Sequence, residues 1–302
     1  MHDLIIVGAG PAGLAASLYA ARKRLDFLTI CETVGGKSNY RVHLADSDET
    51  QVIQAGELVA VYRSRLESLR HSYRTASVTS VTAIDGGFSV SIKDGDPVKA
   101  RAVIIASGTR NRRLKVDGES QFLSRGLGYS SISYSHLLSG KRVFLTGDSD
   151  RAVNSAIELS LHATEVSLAL LAGGTFTPAL IDRASALERI TLLRNATVVG
   201  FEGDGFARRV IVESEGSKQT LEADGFFLEP EPSPNTGFVG DLVELDARGY
   251  IPVNGMNEAS RPGVFAAGDV TGNGFEQVLV SLGEGTKALL SAYRFLLESG
   301  TA

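Results

Sequence analysis

The feature that most constrains this chain is its opening, Asp3-Leu4-Ile5-Ile6-Val7-Gly8-Ala9-Gly10-Pro11-Ala12-Gly13-Leu14. Leu4 to Val7 is a short apolar run of the kind that forms a buried strand. It stops at a Gly-x-Gly-x-x-Gly loop, and the alanine-rich stretch from Ala12 to about Arg24 has helical character. Each glycine has a task. Gly8 permits a tight turn, Gly10 lets the backbone approach a diphosphate, and Gly13 lets the helix pack close to the strand. Pro11 and Ala12 complete the loop. Free N–H groups and the helix dipole favour negative charge at this point. A second apolar run, Phe27 to Cys31, ends in Glu32, where a carboxylate can accept hydrogen bonds from a ribose. The glycine loop alone is weak evidence. Strand, loop, helix, strand and acid in that order specify a dinucleotide-binding unit.

Length and charge narrow the classes further. The 302 residues suffice for a large core and suggest two domains. A net charge of −5 without a long basic run gives nucleic-acid binding no electrostatic support. No apolar stretch reaches the length that spans a bilayer, and the first residues enter a core strand with no signal peptide ahead of them. The single cysteine, Cys31, excludes an intramolecular disulfide and fits a cytoplasmic location. It is read as a buried core residue. No metal-ligand spacing is found.

Past Glu32, the pair Gly35-Gly36 followed by Lys37 either brings backbone N–H groups to a ligand or makes a simple turn. Ala55 to Leu69 has helical spacing, and Ser77–Ile84 with Phe88–Ile92 reads as a hairpin across Asp85-Gly86-Gly87. Ala102 to Ala106 is a buried strand, and Ser107-Gly108 after it suits a chain passing close to a cofactor. The group Arg110, Arg112 and Arg113 reads as a solvated crossover. Near Leu114 the pattern restarts: strand Arg142–Thr146, a loop at Gly147, helix Arg151–His162, strand Glu165–Leu171. Strand segments at Thr197–Phe201 and Ala207–Val212 suggest a further small sheet. From about Asp241 the character of the first domain returns, with a strand ending in Gly268-Asp269 and a long amphipathic helix over about Phe275 to Leu297.

Taken together, the opening loop, Gly35-Gly36, Ala106-Ser107-Gly108, Pro234-Asn235-Thr236, Leu245-Asp246-Ala247-Arg248-Gly249-Tyr250-Ile251 and Pro262 to Val270 resemble the low-molecular-weight thioredoxin reductases over essentially the whole chain. The resemblance implies an α/β fold of two nucleotide-binding Rossmann-like domains, the second inserted in the first, as in pyridine nucleotide-disulfide oxidoreductases of class II. The FAD-binding domain is then 1–115 and 242–302, and the inserted NAD(P)H-binding-like domain 116–241. It implies FAD on Gly8, Gly10, Pro11, Ala12, Gly13, Glu32, Gly35, Gly36, Lys37, Ser107, Gly108, Gly268, Asp269, Gln277 and Val278. Asp269 would meet the ribitol and pyrophosphate region, or else cap a helix. Gln277 falls where the family has a glutamine, with Glu276 where the family has arginine. The resemblance also implies a homodimer.

The departures matter as much as the matches. The family's redox Cys-x-x-Cys falls on Ser130 and Ser133, and a hydroxyl performs no thiol–disulfide exchange. The second glycine motif reads Gly147-Asp148-Ser149-Asp150-Arg151-Ala152, which puts carboxylates where phosphates would sit. The family's His-Arg-Arg cluster for the 2′-phosphate is replaced by Leu170-Leu171-Ala172-Gly173-Gly174. NADPH is therefore not expected, whereas a second nucleotide or flavin in the inserted domain stays open. Catalytic candidates are His136, Tyr129 and Tyr134. His136 reads more readily as a packed or exposed residue than as a proton donor, and the tyrosines read equally as core aromatics.

The reading is an FAD-dependent oxidoreductase without dithiol chemistry, passing electrons between FAD and a small molecule or a small electron-transfer protein. A docking face for such a protein would draw on Arg110, Arg112, Arg113, Lys115, Arg142 and Arg151. The alternative is an FAD-binding or sensing protein without catalysis.

Overall fold

The computed structural model describes residues 1–45, 56–69 and 71–300. The chain divides into two compact units. One comprises Met1–Asn39, Ala55–Arg110 and Ser233–Ala302, the other Tyr40–Gln54 and Asn111–Pro232.

The first unit begins with β1 (His2–Ala9), α1 (Pro11–Arg22) and β2 (Phe27–Val34). It continues with α2 (Gly56–Ser68), β3 (Tyr73–Thr75), β4 (Val78–Ile84), β5 (Gly87–Ile92), β6 (Gly95–Ile105) and the short β7 (Thr109–Arg110). Ala55, expected to start the second helix, lies outside the described residues. β1 pairs in parallel with β2 on one side and β6 on the other. Leu4, Ile5 and Ile6 are fully buried, as an unbroken apolar strand covered on both faces requires.

The second unit holds α3 (Glu119–Phe122), β8 (Leu127–Tyr129), β9 (Arg142–Ser149), α4 (Asp150–Leu159) and β10 (Glu165–Thr175). α5 (Pro178–Ser185), β11 (Ile190–Gly203), β12 (Ala207–Ser214), β13 (Ser217–Glu222) and β14 (Gly225–Leu228) follow. Its sheet runs β13-β12-β11-β10-β9-β14-β8. The five strands from β11 to β8 are parallel, and β12 and β13 add an antiparallel flap. The alanine-spaced face of α4 buries Ala152, Val153, Ala156 and Leu159 against this sheet. α5, β13 and β14 carry no signal strong enough to be read from the sequence. β14, Gly-Phe-Phe-Leu, is a four-residue run wholly inside the core.

The chain then returns to the first unit with β15 (Ser233–Pro234), β16 (Val264–Ala266) and α6 (Val278–Glu298). β16 pairs in parallel with β6, and β15 pairs antiparallel with β7. The sheet order is β3-β2-β1-β6-β5-β4, with the β16 pairing off that path. α1 and α6 pack on one face through small residues. A Cβ on Gly285 would lie 2.0 Å from the Ala12 carbonyl oxygen, so the two backbones touch there. The returning segment begins at Ser233, earlier than the expected 242, because β15 already pairs with β7. The main segment of the second unit begins at Asn111 instead of 116, and the described residues 40–45 also belong to it.

Candidate functional site

In the first unit several of the glycines expected at a cofactor come together. Gly8 has φ +104°, and a Cβ there would lie 2.3 Å from the Ala106 carbonyl oxygen. A Cβ on Gly13 would lie 1.9 Å from the Gly8 carbonyl oxygen. Turn, strand end and helix start are therefore in backbone contact, which only glycine allows. Gly10 differs, because nothing lies within 4 Å of its Cβ position. It leads into an α1 N-terminus with no side-chain cap and no acid in its first turn, and with proline at its start. Such an end keeps its N–H groups and its dipole for an anion.

Other loops close on this one. A Cβ on Gly36 would sit 3.1 Å from Gly10 Cα, and one on Gly268 would sit 3.0 Å from Ala12 Cβ. Gly35 N–H donates to the Ala9 carbonyl at 2.7 Å. Ser107 Oγ donates to the Asn235 carbonyl at 2.7 Å, and Asn235 Nδ2 donates to the Ser107 carbonyl at 3.0 Å. Asn235 N–H also donates to the Gly108 carbonyl at 3.0 Å. The Pro-Asn-Thr stretch thus braces the strand end that Ser107 and Gly108 form. Glu32 is exposed at the end region of β2 and accepts from Ser77 Oγ at 2.8 Å.

Asp269 opens a short helical turn, and its carboxylate pairs with Lys37 Nζ at 2.8 Å. The structure thus shows an ion pair at Asp269. Gln277 is exposed and stands at the N-cap of α6, which starts three residues after the expected Phe275. Val278 packs on the cluster of Val59, Leu66 and Cys31. Glu284, not singled out by sequence, accepts from Gly268 N–H at 2.7 Å and from Asn273 Nδ2 at 2.8 Å. It fixes the Gly-Asp turn from nearly two helical turns inside α6, and no motif announces it.

This set fits a dinucleotide flavin. The Gly10 backbone is open at the point where side-chain bulk would block a diphosphate, the helix end behind it carries no competing acid, and Glu32 stands at the tip of the second strand.

The corresponding loop of the second unit is built differently. A Cβ on Gly147 would lie 2.6 Å from both Ala152 Cβ and the Glu229 carbonyl oxygen, so the first glycine keeps its packing role. Beyond it the polar groups bind one another. Asp148 accepts from Arg112 Nη1 at 2.5 Å and from Glu231 N–H at 2.7 Å. Ser149 Oγ donates to Glu231 Oε2 at 2.9 Å. Asp150 accepts from Thr177 N–H at 2.7 Å and from Thr177 Oγ1 at 2.5 Å. Arg151 Nε donates to Glu229 Oε2 at 2.8 Å. Glu229, 1% exposed, also accepts from Ser131 N–H at 2.7 Å and Ser131 Oγ at 2.8 Å. The end of β10 pairs back onto the loop, Thr175 against Ser149.

Ser130 and Ser133 are adjacent, with 3.0 Å between their hydroxyl oxygens. Ser130 has φ +56°, a left-handed conformation entered ahead of the 3₁₀ turn Ser131–Leu137. Tyr134 is buried, stacks near Phe227 and donates to the Tyr40 carbonyl at 3.2 Å. Burial holds its phenol above the usual range. Tyr129 packs near Tyr40, and burial, reinforced by Glu119, pushes its phenol up to about 12. His136 is exposed. The three candidates thus face different surroundings, and neither tyrosine is placed to give up a proton near neutrality. Of the six cations considered for a docking face, Arg112, Arg113, Arg142 and Arg151 are ion-paired with acids. Burial pushes the Cys31 thiol up to about 11. Among the described residues no cluster could hold a metal ion, and no helix is long and apolar enough to cross a membrane.

Comparison with known proteins agrees with this geometry. A family model described as pyridine nucleotide-disulphide oxidoreductase matches residues 2–285. The chain is 28% identical over 302 residues to a subunit of alkyl hydroperoxide reductase from Staphylococcus aureus (strain MRSA252), covering 99% of this chain and 60% of that protein. It is 30% identical over 310 residues to the alkyl hydroperoxide reductase subunit of the same name from Escherichia coli (strain K12), covering all of this chain and 59% of that protein. The chain therefore spans about three fifths of the length of these relatives. The crystal structure of thioredoxin reductase from Streptococcus pyogenes MGAS5005 superposes with a TM-score of 0.87 at 28% identity, with 99% of each chain covered. The thioredoxin reductase from Giardia duodenalis gives 0.87 at 26%, covering 98% of this chain and 99% of that one.

Proposed function

The chain belongs to the pyridine nucleotide-disulphide oxidoreductase family, and on that footing we propose that it is an FAD-dependent oxidoreductase that works without dithiol chemistry and is not driven by NADPH. It is a flavoprotein-type oxidoreductase of thioredoxin-reductase-like fold. The finer reading is carried by one observation: the first glycine loop is open and free of acids at its helix end, whereas the second is filled by its own carboxylates.

FAD, when bound, supplies a carrier for hydride or for single electrons. The chain's part is to hold it. The α1 N-terminus and the Gly10 backbone would take the diphosphate, Glu32 the adenosine ribose, and the Gly268-Asp269 turn, fixed by Glu284, the ribitol side. Gln277 and the helix-end N–H groups near it, at the start of α6, would meet the ring end.

Relatives named thioredoxin reductase and alkyl hydroperoxide reductase point to a protein that passes electrons on. In this chain Ser130 and Ser133 meet as two hydroxyls, and the only cysteine is a buried Cys31. A hand-over through an internal dithiol has no atoms to use, which supports direct exchange between FAD and a small molecule or a small electron-transfer protein. The pairing of four arginines with acids leaves little free charge on the strip considered for docking such a protein. A homodimer is the expectation carried by the family, and a cytoplasmic location the one that fits the single cysteine.

The test is an anaerobic visible spectrum of the purified protein before and after adding NADPH, NADH or a reduced ferredoxin. A flavin spectrum untouched by micromolar NADPH is expected, as is no turnover in an insulin-coupled thioredoxin assay. Rapid bleaching by NADPH would overturn the reading of the second loop. A flavin that no biological donor reduces would shift the assignment to an FAD-binding protein without catalysis. Two FAD per chain, measured after denaturation, would place a second flavin in the inserted domain.

A further inference from the structure

Lys37 is where the separate loops of the first unit's cradle meet. Its Nζ donates to Thr109 Oγ1, Asp269 Oδ2 and Glu276 Oε1, each at 2.8 Å. An ammonium has three N–H donors, and here three acceptors from three segments face it. Thr109 follows β6, Asp269 opens the turn after Gly268, and Glu276 immediately precedes the N-cap of α6. The side chains of Lys37, Asp269 and Glu276 are 24%, 15% and 17% exposed. Thr109 Oγ1 also lies 3.2 Å from Glu276 Oε1. Two carboxylates thus converge on one cation at the rim of a cradle whose ligand carries a diphosphate. Removing the cation takes away the charge that faces both partly desolvated carboxylates. A third, dianionic group would then bind in a field of its own sign.

We infer that Lys37 is the internal counter-ion of the cradle: a positioning residue whose charge lets Asp269 and Glu276 stand together and lets the site accept a dinucleotide flavin. The inference rests on the FAD reading above and deepens it. Lys37 and Glu276 form one exchangeable charge pair. Losing the lysine alone should therefore be worse than losing both charges.

The experiment is a cycle of Lys37→Met, Glu276→Gln, the double variant and Lys37→Arg. Each protein is stripped of flavin and titrated with FAD, with thermal unfolding of the flavin-free protein measured in parallel. Lys37→Met should weaken FAD binding by about tenfold or more, and added salt should recover part of the loss. Lys37→Arg should stay within about threefold of the wild type. The double variant should bind FAD at least about fivefold more tightly than Lys37→Met and unfold at a higher temperature. Unchanged FAD affinity in Lys37→Met would overturn the inference, and so would equal losses in the single and double variants, which would signal a lost contact and no uncompensated charge. If the wild type itself binds no FAD, the FAD reading fails on its own. The flavin-free unfolding cycle then decides the counter-ion role, which falls if the double variant is no more stable than Lys37→Met.

Discussion

α1 begins Gly10-Pro11-Ala12-Gly13, and α4 begins Ser149-Asp150-Arg151-Ala152, each at the end of a parallel strand. Both starts share a close strand-to-helix contact, through Gly13 against Gly8 and through Gly147 against Ala152. They differ in what faces the helix end. The first turn of α1 has no acid, whereas that of α4 carries Asp150 with Asp148 and Glu231 beside it. The lesson is that packing and anion binding are separable properties of one motif. Packing needs only the glycine at the turn, and it survives in both units. Binding needs a helix end free of opposing carboxylates, and the second unit has set its own acids there.

The largest effect should come from breaking what the two loops share. Gly13→Val places side-chain atoms where a Cβ alone is already 1.9 Å from the Gly8 oxygen. The expected cost is about 3 kcal/mol or more, with loss of FAD from the purified protein, read by urea unfolding and by flavin content. Gly10→Ala sharpens the comparison, because nothing lies within 4 Å of that Cβ. This variant should fold as the wild type does and lose FAD affinity alone.

Next comes the network that fills the second loop. Glu229→Gln keeps the shape but removes the charge facing Arg151, in a side chain 1% exposed. A loss of about 1–3 kcal/mol in urea unfolding is expected, with flavin content unchanged. A loss of flavin instead would tie the second loop to the first and break the comparison.

A smaller effect is expected at the serine pair. With 3.0 Å between the hydroxyl oxygens, a Ser130→Cys, Ser133→Cys double variant should close a disulfide on oxidation with little change in stability, since the loop it closes is short. Thiol titration in denaturant should then find Cys31 alone, and all the cysteines after reduction. The smallest concerns Cys31. With its thiol pushed from 9.0 to about 11, native labelling at pH 8 should run about a hundredfold slower than for a free thiol. The folded thiol holds its proton more tightly than the unfolded one, so this group's contribution to stability is present below pH 9 and is lost as pH rises toward about 11.

Much of this is legible in the sequence. The opening motif yields strand, turn and helix in order, because a central parallel strand is apolar throughout and its glycines answer to backbone contacts within a few residues. Ser130 and Ser133 stand out only through the resemblance, which sets the family's redox cysteines at those two positions. Other parts depend on residues far apart in the chain. Nothing local marks Glu229 as the partner of Arg151, or Glu284 as the acceptor for Gly268 N–H. The resemblance offers Asp269 as a ribitol ligand and the local sequence offers it as a cap, whereas its ion pair with Lys37 joins positions 232 residues apart. α5, β13 and β14 escape the sequence because they are short and their spacing is too brief to separate helix from strand. The same limit shifts the unit boundaries, since β15 rejoins the first unit through a two-residue pairing with β7.

The contact between Gly285 and the Ala12 carbonyl has a consequence for the order of events during synthesis. The loop that begins the cradle leaves the ribosome long before the helix that presses on it and the Gly268 turn that lies over Ala12. A growing chain that has already completed its second unit still holds only part of the flavin cradle. Capture of the cofactor therefore waits for α6 to emerge, and a nascent chain stalled before Val264 should leave the ribosome without flavin.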